Sequence, residues 1–155
     1  MIALSRRKLL ALGAIGATAS VAVAAPWLSA ASAQPAIDVS RSPSCGCCGD
    51  WITHMRAAGF TVNDRLIDDL APLKAQLGVP ADLQSCHTAF VDGYAIEGHV
   101  PAQDVHRLLR ERPAAAGLAV AGMPLGSPGM EVDGRQEPYE VILFTASGRS
   151  VFARH

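Results

Sequence analysis

The chain has 155 residues, with 13 basic and 14 acidic side chains, a formal net charge of −1 and four cysteines. That length supports one compact domain rather than two, and the balance of charge, with no basic cluster past the extreme N-terminus, excludes a protein held on nucleic acid by its phosphates. The hydrophobic fraction of 50% is inflated by one N-terminal run and does not indicate an integral membrane protein.

That run opens the chain. Arg6, Arg7 and Lys8 precede an apolar, charge-free stretch from Leu9 to Ala25, and the small residues Ala31, Ser32 and Ala33 supply a cleavage pattern. The pattern predicts an export signal over residues 1–33, cut after Ala33, and not an anchor, because the stretch is at the short limit for spanning a bilayer. The paired arginines are twin-arginine-like, the signal of a bacterial route that carries folded proteins to the periplasm. Residues 34–155 are then a single domain with ten basic and 14 acidic residues, without stable membrane insertion once the signal is gone. Free thiols oxidise outside the cytoplasm. Four cysteines there must be paired, bound to metal or kept reduced.

The mature chain starts with a strand, "AIDVS", that runs directly into "SPSCGCCGDW". Asp50 is predicted to cap a helix with Trp51, Ile52, Met55 and Ala58 on one face, terminated at Gly59. "FTVNDRLI" reads as a second strand. Leu70, Leu73 and Leu77 mark a second helix, with Pro72 in its first turn and an end at Gly78. "TAFV", Asp92-Gly93 and "YAIEGHV" form a hairpin signal, and Pro101 opens a third helix carrying Val105, Leu108 and Leu109. Residues 117–138 are rich in Gly, Pro and Met without a sustained period and read as a loop, before "YEVILFTASGRSVFARH" closes the chain as a hairpin. Two strands joined by a helix, then a tight hairpin and a helix, specify an α/β (α+β) fold: a thioredoxin-like mixed sheet flanked by helices, with a C-terminal β-hairpin extension.

Cys45, Cys47 and Cys48 lie at the handover from strand to helix, and Cys86 lies 38 residues further on. Two structural disulfides would need strained rings among close neighbours, so a pure scaffold is a poor use of these four residues. Cys45 and Cys48 make a C-x-x-C pair, which suits a thiol–disulfide oxidoreductase in which Cys45 attacks and Cys48 resolves. Such an enzyme does not need a third thiol inside the motif, and the loop "QSCHTAF" presents Cys86 where thioredoxin-like proteins usually carry a cis-proline. If all four sulfurs converge, they select a soft metal. Zinc favours ligands spread more widely than three in four residues, iron–sulfur clusters use more open spacings, and Cu(I) tolerates crowded, bridging thiolates.

With "SCHTAFVDGYAIEGHVP", "GLAVAGMPLGSPGME" and "YEVILF" following "SPSCGCCGDW" in that order, the sequence resembles the small periplasmic metal-binding proteins of the CopG type, linked to bacterial copper resistance. The resemblance spans essentially the whole mature chain. It implies that Cys45, Cys47, Cys48 and Cys86 are copper ligands on a thioredoxin-like domain; thiolates this crowded are expected to bridge, holding several Cu(I) ions per chain in a multinuclear site. It also implies traffic with other periplasmic copper-handling proteins, and leaves storage, transfer and change of oxidation state as alternative roles.

A second tier of candidates surrounds these. Met123 and Met130 flank "PLGSPG" and offer thioether sulfur or simply loop packing. His87 and His99 offer support to the ligands or an entry site for Cu(II), although alternation along a strand turns His87 away from Cys86. His54 and His106 are expected on solvated helix faces, His155 at a free chain end, and Trp51 in the core of the first helix.

Overall fold

The computed structural model describes residues 35–155, so the export signal expected over residues 1–33 lies outside the described residues. The elements are β1 (Ile37–Arg41), α1 (Gly46–Ala57), β2 (Val62–Leu66), α2 (Ala71–Gln76), a 3₁₀ turn (Ala81–Leu83), β3 (His87–Val91), β4 (Tyr94–Glu97), α3 (Ala102–Glu111), β5 (Gly117–Ala119), β6 (Glu140–Phe144) and β7 (Arg149–Arg154). No helix among them is long and apolar enough to cross a membrane.

One seven-stranded sheet runs in the order β2-β1-β3-β4-β5-β6-β7. β1 and β2 pair in parallel across the α1 crossover, β1 and β3 pair antiparallel, and β3 and β4 are a hairpin. Asp92 and Gly93 both take positive φ, 48° and 92°, which is the geometry whose twist matches flanking strands. The mixed α/β class read from the sequence is therefore the class observed. Its consequence for the site is topological: β1, one strand in from the β2 edge, delivers the chain to the Cys45 loop, and the neighbouring β3 begins one residue after Cys86.

The core is built from the expected faces. α1 buries Cys48, Trp51, Ile52 and Met55, an i, i+3, i+4, i+7 stripe, against Ile37, Val39, Ile96, Val105, Leu108 and Leu118. Removing each large apolar side chain from water contributes about 1.5–3 kcal/mol. Trp51 also donates its indole N–H to the Val100 carbonyl at 2.9 Å, so its polar edge is satisfied inside the core.

Five expectations need correcting. Asp50 does not cap α1: the helix starts at Gly46 with Cys45 at the N-cap position, so Cys47 and Cys48 are already in its first turn. The leucines of α2 are only partly buried, and the residue it buries is Lys74. Within the stretch read as a loop, Gly117–Ala119 forms β5, parallel to β4 and antiparallel to β6, so the C-terminal hairpin continues the main sheet. Three residues are too few to show a period. His54 and His106 are half-buried and engaged: His54 Nε2 accepts the Ala102 N–H at 3.1 Å, at the start of α3, and His106 stacks on Phe60 with ring centroids 4.3 Å apart. His155, at the end of the chain, bonds Asp104 at 2.8 Å and stacks on Tyr139.

Candidate metal centre

The four cysteine sulfurs converge, each lying within 4.8 Å of the others. Cys45 and Cys48 are joined as a disulfide, with Cα atoms 5.5 Å apart, while Cys47 and Cys86 are free thiols. Cys47 Sγ stands 3.6 Å from Cys45 Sγ and 3.9 Å from Cys86 Sγ, and Cys48 Sγ stands 3.5 Å from Cys86 Sγ. Two thiolates bound to one ion at about 2.3 Å with a tetrahedral angle sit about 3.8 Å apart. The sulfurs are therefore at ligand spacing before any ion binds. Cys45, Cys47 and Cys48 occupy the cap and first turn of α1, where unpaired N–H groups and the helix dipole favour thiolate.

Cys86 has the opposite electrostatics. Burial, and next the negative charge of Cys47, pushes its thiol up to about 11. Metal-free Cys86 is thus a neutral thiol at neutral pH, and binding an ion there must release its proton.

A buried polar network fixes the loop that carries Cys86. Glu97, fully buried on β4, accepts the Ser85 N–H at 2.6 Å and the Thr88 hydroxyl at 2.7 Å, and forms an ion pair with buried Lys74 of α2. Lys74 also donates to Thr88 Oγ1 at 2.8 Å, and Ser85 Oγ donates to the Gly122 carbonyl. Ser85 is held through both backbone and side chain, which sets the position of the next residue. The sequence reading missed this network. Its one signal is a lone glutamate in the hydrophobic run "YAIEGHV", which the hairpin reading leaves without a partner.

The two histidines also converge on Cys86. His99 Nε2 lies 3.1 Å and His87 Nδ1 3.5 Å from its sulfur. The expectation that His87 points away is overturned, because Cys86 precedes β3 and strand alternation does not govern it. Both rings are fully buried. Burial is the main reason that His87 is held well below the usual imidazole range and His99 below it too, so both are neutral near pH 7. The His99 ring hydrogen-bonds the Pro128 carbonyl through Nδ1 at 2.8 Å, and His87 packs between Trp51 and His99, with centroids 4.5 and 5.1 Å away.

The Pro128 contact comes from residues 122–134, which close over the start of α1. Gly129, at φ +86°, passes so close that an added Cβ would lie 2.7 Å from both the Cys47 carbonyl and the Trp51 nitrogen. Met123 on this loop is 51% exposed and faces solvent, and Met130 is half-buried with its N–H bonded to the Ser127 carbonyl. The loop thus approaches the cluster through backbone at Pro128 and Gly129. Three surface grooves, of about 480, 700 and 560 Å³, contain no cysteine in their walls.

Comparison with known proteins agrees with this geometry. Residues 83–130 match a family described as "Protein of unknown function, DUF411", a segment that includes Cys86, His87, Glu97, His99 and the Met123–Met130 loop. No curated protein matches the chain. Two solved structures are similar to it, forms 1 and 2 of "Copper resistance protein copG", each 51% identical, covering 79% of this chain and 98% of that chain with a TM-score of 0.75. Identity at that level over nearly the full length of those structures establishes kinship, and the chain belongs to the copper resistance protein CopG family.

Proposed function

We propose that the protein is an exported, periplasmic copper-binding protein acting in copper resistance, in which reduced Cys45, Cys47, Cys48 and Cys86 hold several Cu(I) ions through bridging thiolates. The observation that carries this reading is the convergence of the four sulfurs within 4.8 Å, from two segments far apart in sequence. The donor set fits the cargo, since soft thiolates select soft ions. Charge sets the number. Four thiolates beside a helix start need neutralising, because an unpaired buried charge costs several kcal/mol. One Cu(I) would leave three charges uncompensated and about four would balance them. The Cys45–Cys48 bond must open first, so loading requires a reductant, and exchange with other periplasmic copper-handling proteins is the natural source and sink of the ions.

That disulfide favours a second reading, thiol–disulfide exchange with Cys45 as attacking and Cys48 as resolving sulfur. The experiment that separates the two is anaerobic Cu(I) titration of the reduced protein beside a disulfide-reductase assay, for wild type and Cys47→Ser. Copper binding predicts saturation above one ion per chain and a marked loss in Cys47→Ser, because a bridge is removed. An exchange enzyme keeps its activity in that variant, and saturation at a single copper would sink the multinuclear site. Export is checked on cell fractions: the periplasmic protein should begin at Gln34, and replacing Arg6 and Arg7 by lysine should block its passage if the twin-arginine route carries it.

A further inference from the structure

We propose that Cys86, His87 and His99 form a second metal site, a mononuclear imidazole–thiolate site for one copper ion that remains available when Cys45 and Cys48 are closed as a disulfide. The proposal shares Cys86 and the identity of the ion with the copper reading above and does not need the other three sulfurs.

Three observations carry it. The spacing is that of ligands: nitrogen and sulfur bound at about 2.0 and 2.3 Å with a tetrahedral angle lie about 3.5 Å apart. Cys86 Sγ is 3.1 Å from His99 Nε2 and 3.5 Å from His87 Nδ1, and the three donor atoms all lie within 4.8 Å of one another.

The tautomer is fixed in the productive sense. A backbone carbonyl only accepts, so His99 Nδ1 must carry the hydrogen it shares with Pro128. The neutral ring then presents its Nε2 lone pair to Cys86. A metal-ligating histidine is typically held this way, its other nitrogen donating to a carbonyl or carboxylate.

The third observation is which sulfurs are free. In the disulfide-closed state the cysteine pair cannot ligate, yet Cys86 is free. Two imidazoles and one thiolate are also a harder set than four thiolates, so this site accommodates copper in its divalent as well as its monovalent state.

The test uses the mature chain carrying Cys47→Ser, oxidised to close Cys45–Cys48 and verified to hold one free thiol. Co(II) alone is the probe, because it does not oxidise thiols and its spectrum reports its ligands. We expect one Co(II) per chain, a thiolate-to-metal charge-transfer band, and loss of both the band and the bound Co(II) on adding one equivalent of Cu(I). Cys86→Ser should abolish the band, and His99→Ala and His87→Ala, measured separately so that one misfolded variant does not decide the matter, should each weaken binding at least tenfold. Binding without the band, a band of undiminished affinity in both histidine variants, or Co(II) that Cu(I) does not displace would each overturn the site. The copper count of reduced wild type tests the cluster independently, since this sample has no cluster to fill.

Discussion

Replacing Lys74 by methionine should be among the most damaging substitutions outside the cysteines. The ammonium and Glu97 are both buried, with side chains 6% and 0% exposed, and Glu97 has no water to turn to when its cation goes. Breaking a buried pair from one side costs about 3–5 kcal/mol, which is about 10–20 °C in melting temperature for a domain of this size. The damage should also reach the metal centre, because Glu97 holds the Ser85 N–H next to Cys86. Urea unfolding of the metal-free, disulfide-closed protein measures the first effect, and Cu(I) loading of the reduced protein the second. The double variant Lys74→Met/Glu97→Gln removes both charges while its amide oxygen still accepts from Ser85, so it should recover most of the stability and of the loading. A Lys74→Met protein within about 1 kcal/mol of wild type, or a double variant as unstable as the single one, would refute the claim that this pair positions Cys86.

Cys86→Ser should lower both the copper count and the copper-induced rise in melting temperature, because in the proposed cluster Cys86 is the ligand next to the sheet; titration followed by thermal melts checks this. Gly129→Ala should cost about 2 kcal/mol or more in urea unfolding, since its Cβ meets two backbone atoms that cannot move aside and its φ is positive. His54 is held below the usual imidazole range, chiefly by burial, so the folded state binds fewer protons than the unfolded one. Its contribution is present above pH 6.5 and lost as pH falls below that value; His54→Gln, whose carbonyl can still accept the Ala102 N–H, should flatten the loss of melting temperature between pH 6.5 and 5.

The helices and the central hairpin were legible because each rests on a local rule: Gly59 and Gly78 at positive φ after α1 and α2, Pro101 at the start of α3, Asp92-Gly93 in the turn. The convergence of Cys86 on the other cysteines was legible too, since the order of elements leaves β1 and β3 adjacent. What escaped depends on distant partners. Lys74 reads as a solvent-facing residue of an amphipathic helix until Glu97 arrives from β4, 23 residues later. β5 is too short to carry a pattern and exists because β4 and β6 flank it. Asp50 looked like a cap because its residue type fits, but the helix had begun four residues earlier at a glycine between two cysteines. His87 was misjudged by applying strand alternation one residue outside the strand.

Trp51 lies beneath this site, its ring against His87 and its N–H spent on Val100. The sequence holds two tryptophans, Trp27 and Trp51, and a chain cut after Ala33 keeps only the second. Its emission would come from one fluorophore in one dry setting, with an imidazole as its neighbour. Any event that moves, protonates or ligates that imidazole changes the surroundings of the excited indole. The folded domain therefore contains its own optical gauge of the sulfur–histidine centre, readable without a dye or a label.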